Sequence, residues 1–172
     1  LTTDQIVALT STQALGLSSA NVAALTTLQI VALETADLAA FTTANIRAMG
    51  TSQVLALRTE QLVALTTAQV FHLTSAETAA LSTQQVLALT TAQALGMGTT
   101  NVTALGSAQL AALTTTNLSL ITTANIRALL TEQLAALTTV HVQALTTAQL
   151  AALHADQVAS LLTDQIVALT TA

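Results

Sequence analysis

The sequence predicts an all-α solenoid of very short helices, one for each eight-residue repeat. Three observations lead to this fold class. One octad repeats without insertion or deletion through the 172 residues, and such strict short periodicity is typical of solenoids. The eight-residue period does not suit one straight helix. Each octad also carries the residues that start a new helix.

We interpret the whole chain as a single repeat array. Twenty-one octads occupy residues 1–168, and a half octad follows at residues 169–172. The chain starts with Leu1 rather than Met, and the same pattern runs to its last residue. We therefore expect residues 1–172 to be a fragment of a longer array.

The eight positions of the octad, numbered from Leu1, differ in character. Position 1 is large and apolar, position 6 is mostly Ile, Val or Leu, and position 8 is usually small. Position 3 is Ser or Thr except at Ala155, and position 5 is Gln or Asn except at Asp37, Glu77 and His141. We predict that positions 1, 6 and 8 pack against adjacent octads, while positions 2, 4 and 7 face solvent.

A continuous helix does not suit this period. Eight residues at 3.6 per turn advance about 800°, which is two turns plus roughly 80°. An apolar stripe at positions 1 and 6 would drift by that angle in each octad, and coiled coils need an average near 3.5 or 3.67 residues per turn. Each octad is therefore predicted to contain a bend.

A β-solenoid is the alternative fold. Positions 1 and 6 lie five and then three residues apart, so one strand cannot place both on the same face. Ala, Leu and Gln favour helix, and the usual turn residues are scarce. The abundant Thr and Val keep the β-solenoid open as an alternative.

The helix start has two possible registers. Thr at position 2 with Gln at position 5 fits the capping box, and positions 1 and 6 then form the hydrophobic staple. The helix would run from position 3 through position 8 into the next Leu. Position 3 is stricter than position 2, however, so position 3 is the alternative cap. In that register the position-5 amides would be free to bond carbonyls of a neighbouring coil.

Composition excludes several classes of function. The net charge is −5, and Arg47, Arg58 and Arg127 are the only Lys or Arg residues, too few to neutralise a nucleic-acid backbone. Without Cys there is neither a disulfide framework nor a thiolate site. Polar residues interrupt every long apolar window, so no transmembrane span is expected.

No catalytic, cofactor or metal site is predicted. His72, His141 and His154 fall at three different octad positions, whereas zinc requires several converging ligands. The eight acids are scattered singly. Five of them share position 4, early in the proposed helix, where they complement the helix dipole. We therefore expect no enzyme and no cofactor.

The octad resembles a repeat of known proteins. Residues 145–152 read Leu-Thr-Thr-Ala-Gln-Leu-Ala-Ala. This is similar to the Leu-Thr-Thr-Ala-Gln-[Ile/Val/Leu]-x-Ala arrays of large bacterial surface or secreted proteins of the adhesin-like type. The resemblance covers essentially the whole chain. It implies an extracellular or cell-surface location, although no signal segment is visible in the chain.

The expected function is structural. The chain would form a rod, stalk or self-assembling filament at the bacterial cell surface, with a length set by the number of repeats. The expected partner is the chain itself, through end-to-end or lateral contacts, without nucleic acid or a membrane span. The alternative is a solenoid binding module that presents a surface to a protein or glycan.

Overall fold

The computed structural model describes residues 1–170, and of Thr170 only the backbone. All regular secondary structure in this range is helical, with one short helix in each octad and no strand. The predicted all-α class is confirmed, and the β-solenoid alternative is wrong. The last two residues of the predicted half octad lie outside the described residues. The helices are α1 Thr3–Val7, α2 Ser11–Leu15, α3 Ser19–Ala23, α4 Thr27–Ala32, α5 Thr35–Ala40, α6 Thr43–Arg47, α7 Thr51–Ala56, α8 Thr59–Ala64, α9 Thr67–Phe71, α10 Ser75–Ala79, α11 Thr83–Ala88, α12 Thr91–Gly96, α13 Thr99–Ala104, α14 Ser107–Leu110, α15 Thr115–Leu120, α16 Thr123–Ala128, α17 Thr131–Ala135, α18 Thr139–Ala144, α19 Thr147–Ala151, α20 Ala155–Ala159 and α21 Thr163–Thr170.

Position 2 is the helix N-cap in the structure. Thr66 is extended, with φ −67° and ψ 158°. Its Oγ1 accepts the backbone N–H of Gln69 at 3.2 Å, and the Gln69 Oε1 accepts the N–H of Thr66 at 2.7 Å. This reciprocal pair is the capping box. The alternative register, with the cap at position 3, is wrong: position 3 is the first helical residue.

Most helices end slightly earlier than the sequence suggests. They stop at positions 6 to 8, and the next Leu is not helical. At Leu65, for example, the backbone is extended, with φ −61° and ψ 138°. The reason is that the following residue must be extended to cap the next helix. Only α21 continues past the next Leu.

Three octads make one coil of the solenoid. Each helix packs against the helix three octads later, so the helices form three columns. Column A contains α1, α4, α7, α10, α13, α16 and α19; column B contains α2, α5, α8, α11, α14, α17 and α20; column C contains α3, α6, α9, α12, α15, α18 and α21. A residue therefore lies beside its counterpart 24 residues away.

The core runs through the middle of the coils. It consists of the apolar side chains at positions 1 and 6, from Ile6 to Leu145. These are the two positions of the hydrophobic staple, so the contact that starts each helix also fills the core. Positions 4 and 7 are largely exposed. No helix within residues 1–170 has the length and apolar character needed to cross a bilayer.

Candidate functional site

The side chains at position 5 form a buried polar ladder that joins successive coils. From Asp37 to Gln165 every residue at this position is buried. In Gln61 the Oε1 accepts the N–H of the cap residue Arg58 at 3.0 Å. The Nε2 of Gln61 donates to the carbonyls of Ile30, at 2.9 Å, and Leu33, at 2.8 Å. One side chain thus starts its own helix and closes the end of an earlier one.

The same geometry recurs along the chain. The amide donates to the carbonyl of the position-1 residue 28 residues earlier, in the adjacent coil, and commonly also to that of the position-6 residue 31 residues earlier. The Gln residues that make both bonds are Gln53, Gln61, Gln69, Gln85, Gln93, Gln109, Gln133, Gln149, Gln157 and Gln165. From the sequence, the inter-coil bond was an alternative to capping. In the structure each of these ten Gln residues does both.

This ladder is required by the bends. The carbonyls at the end of a helix lack intrahelical partners, and a buried polar group without a partner costs about 1–3 kcal/mol. The Leu33 carbonyl lies at a bend, and the Gln61 amide is the donor that reaches it. Position 5 must therefore supply one acceptor and one donor, which explains the predominance of Gln and Asn.

Asn meets this requirement only in part. Its side chain is one methylene shorter, and in Asn117 the Nδ2 still donates to the Leu89 carbonyl at 2.8 Å. The capping box is absent in α6, α15 and α16, whose position-5 residues are Asn45, Asn117 and Asn125. In these three octads the Thr hydroxyl still accepts the Asn N–H, and only the reciprocal bond from the cap N–H to the Asn side chain is missing. Asn101 makes both the cap bond and the inter-coil bond.

His141 substitutes for Gln by the same logic. Its Nδ1 accepts the N–H of Thr138 at 3.4 Å, and its Nε2 lies 2.9 Å from the Leu113 carbonyl. These contacts require the neutral ring with its proton on Nε2. The buried histidine is therefore a member of the ladder.

The two acids at position 5 do not meet the requirement for one acceptor and one donor. Asp37 and Glu77 are each 2 % exposed, and the Oδ2 of Asp37 and the Oε1 of Glu77 have no hydrogen-bond partner. The other oxygen of Asp37 accepts the Ser11 hydroxyl at 3.0 Å. The other oxygen of Glu77 accepts the N–H of Thr74 at 2.6 Å. Glu77 thus supplies the acceptor for its cap N–H, whereas Asp37 accepts a hydroxyl of the previous coil instead. An ionised carboxylate cannot supply the donor.

The other two histidines lie apart from the ladder. The His72 Nδ1 is 2.8 Å from the Ala68 carbonyl, and the His154 Nε2 accepts the Nε–H of Arg127 at 3.1 Å. No group of three or more His, Asp or Glu side chains that could hold a metal ion occurs within residues 1–170. The three histidines are thus structural or surface residues with separate partners.

A surface groove of about 770 Å³ lies where columns C and A meet. Its lining includes Arg47 and the half-exposed Phe71. The ring lies against Gly98, where a Cβ atom would come within 2.8 Å of the Phe71 Cε2. Sequence reasoning missed this groove, because residues 24 apart are not recognisable as neighbours before the coil length is known.

The octad pattern identifies the family. A family model described as the ALTTAQ repeat matches residues 30–67, 57–91 and 141–171, more than half of the chain. The chain belongs to the ALTTAQ repeat family. No curated protein and no solved structure matches the chain.

The six letters of the ALTTAQ repeat correspond to one corner of the solenoid. In residues 64–69 the Ala ends a helix, the Leu enters the core, the first Thr caps the next helix and the second Thr begins it. The second Ala is exposed, and the Gln enters the buried ladder. The ALTTAQ motif thus describes the bend between two helices rather than one helix.

Proposed function

We propose that the chain is a structural element that forms a rod, stalk or filament at a bacterial cell surface, without catalysis. The observation that carries the proposal is the ladder at position 5, which runs through the coils with interruptions at Asp37 and Glu77. It joins each coil to the previous one by side-chain bonds to backbone carbonyls. In a solenoid, stability grows with the number of stacked units, and the length of the rod follows the number of coils.

The uniform surface supports this proposal. Position 4 is occupied mainly by small or singly charged residues, and the cations of the chain are spread over all three columns. The one ion pair within residues 1–170, between Arg58 and Glu60 at 3.2 Å, is solvent-exposed. Exposed pairs contribute little. The features that repeat in every coil are the core and the ladder, and a repeated interior is what a structural scaffold requires.

The proposal includes self-association. Position 7 in column B carries Leu15, Val63 and Leu87, which are 54 %, 39 % and 48 % exposed. Ala39 lies between the first two in the same column. This apolar line on one side of the rod offers surface for lateral contact between copies.

Deletion of one coil tests the rod. Removing residues 73–96 keeps the octad register and the columns, so we expect a folded rod shorter by one inter-helix spacing, about 8–10 Å. Small-angle X-ray scattering gives this length. Deletion of residues 77–80 is the matched control, because half an octad breaks the register. A chain whose maximum dimension is insensitive to loss of a coil contradicts the rod.

Electron microscopy and analytical ultracentrifugation test self-association separately. We expect filaments or laterally paired rods, weakened by replacing Val63 and Leu87 together with Lys. Uniform short monomers at high concentration would contradict self-association. Antibody labelling of intact bacterial cells that make the protein tests the surface location.

The groove at Phe71 favours a second candidate, a glycan-binding module. An exposed aromatic ring with neighbouring hydroxyls and a guanidinium is a suitable surface for a sugar ring. Glycan-array binding that is lost in Phe71→Ala and kept in Phe41→Leu, a core control, would favour this candidate. Absence of binding to any glycan on the array would contradict it.

A further inference from the structure

The ladder carries one group whose chemistry differs from that of its neighbours. Glu77 lies at position 5 in α10, with Gln69 one octad before it and Gln85 one octad after it. Those two side chains donate their Nε2 hydrogens to carbonyls 28 and 31 residues earlier, at 2.7 and 2.9 Å for Gln69 and at 2.8 and 3.0 Å for Gln85. The same register assigns the carbonyls of Met49 and Ile46 to Glu77.

The two oxygens of Glu77 have different surroundings. Oε2 takes the place of the glutamine Oε1, because it accepts the N–H of Thr74 at 2.6 Å. Oε1 therefore takes the place of the glutamine nitrogen, where it is buried without a partner. A charged oxygen there would face carbonyl oxygens, whereas a hydroxyl would donate its one hydrogen to one of them. The Ile46 carbonyl already accepts the N–H of Met49 at 3.1 Å. We propose that Glu77 is a neutral carboxylic acid whose Oε1 hydroxyl donates to the Met49 carbonyl, which makes this joint between coils sensitive to pH.

The charged neighbours of Glu77 are few. The helices packed against α10, namely α7 and α13, contain no ionisable side chain, and Glu77 is the only ionisable residue within α10 itself. Arg47 on α6 is the nearby charge that favours the ionised form. His72, in the preceding octad, lies along the adjoining groove. Desolvation by burial raises the pKa of Glu77 above its ordinary value of 4.5, and the hydrogen bonds from Thr74 and the charge of Arg47 oppose this rise.

The sign of the pH dependence follows from this raised pKa. The folded chain holds a proton on Glu77 that the unfolded chain has already released above pH 4.5. The stabilising contribution of this proton is complete below that pH, and it is lost as the pH rises through the folded-state pKa. Between the two values, the unfolding equilibrium constant of the joint rises about tenfold per pH unit. The coils on either side of Glu77 then separate more readily.

Glu77→Gln tests the proposal, because the amide has the donor at every pH. We expect the unfolding curves of the parent chain and the variant to diverge as the pH rises above 4.5. The parent becomes the less stable, and the increase in amide hydrogen exchange is confined to α6 and α10. Glu132→Gln, at an exposed position 4, is the matched control and should leave the pH dependence unchanged.

A carbon NMR titration of the side-chain carboxyls provides a second measurement that does not depend on unfolding. The signal lost in Glu77→Gln identifies Glu77, and it should titrate above the ordinary carboxyl pKa of 4.5. Parallel unfolding curves for the parent and Glu77→Gln over the pH range would overturn the proposal. So would a Glu77 carboxyl that titrates at its ordinary pKa of 4.5.

Discussion

Replacement of Gln93 by Ala is the most direct test of the ladder. Gln93 is 2 % exposed. Its Nε2 donates to the carbonyls of Leu62 at 2.9 Å and Leu65 at 2.8 Å, and its Oε1 accepts the N–H of Thr90 at 3.0 Å. Ala has nearly the same helix propensity, so the change removes the side-chain bonds without disfavouring the helix itself.

The magnitude follows from the groups left unpaired. The Leu62 carbonyl keeps the N–H of Leu65 at 3.1 Å. The Leu65 carbonyl has no backbone donor among the described hydrogen bonds, and the N–H of Thr90 loses its acceptor. Each such group costs about 1–3 kcal/mol, so Gln93→Ala should lower the free energy of unfolding by about 2–6 kcal/mol.

The assay is urea unfolding followed by circular dichroism, together with amide hydrogen exchange. Arrays of repeats often unfold in steps, so the exchange data locate the loss, which we expect in α8 and α12. Gln84→Ala, an exposed position-4 residue on α11, is the matched control and should cost less than about 0.5 kcal/mol. Equal effects of Gln93→Ala and Gln84→Ala would refute the ladder as a source of stability.

Three further predictions follow from the same structure. Thr66→Ala removes the hydroxyl that accepts the Gln69 N–H at 3.2 Å and should lower the free energy of unfolding by about 0.5–2 kcal/mol. Thr67→Ala, at the first helical residue, should lower it by less. A larger loss in Thr67→Ala than in Thr66→Ala would support a cap at position 3 instead. Leu62→Ala, fully buried, should cost about 2–5 kcal/mol, whereas Leu55→Ala, 54 % exposed, should be nearly neutral; both are measured by urea unfolding. Gln93→Glu places a second acid in the ladder, two octads after Glu77. The stability of this variant relative to the parent should fall as the pH rises from about 4 to about 8, because the ionised carboxylate has no donor. A pH-independent difference would contradict the requirement for a donor.

Much of the local structure was predictable from the sequence. The drift of about 80° per octad predicted a bend, and the Thr–Gln spacing predicted the capping box found at Thr66 and Gln69. The apolar positions 1 and 6 entered the core as predicted. All of these features depend on residues within one octad, where the interacting groups are a few residues apart.

The candidate sites were less predictable. The sequence placed Asp37, Glu77 and His141 together as exceptions at position 5, but it could not say that this position is buried or that it needs a donor. Burial of Glu77 comes from the coils stacked on both sides of it. The groove beside Phe71 likewise joins residues of several octads, including Gly98 and Asn125.

The sequence by itself determined the repeating unit and the bend in each octad, and it favoured helix over strand, because these features depend on residues within one octad. It left the helix start open between positions 2 and 3, and the structure placed the cap at position 2. Only the tertiary structure decided that three octads make a coil. All octads are alike, so no pattern of residues distinguishes a partner three octads away from one two or four octads away. That choice depends on the angles accumulated at successive bends, and it gives Gln61 its second set of bonds, to the bend that ends at Leu33.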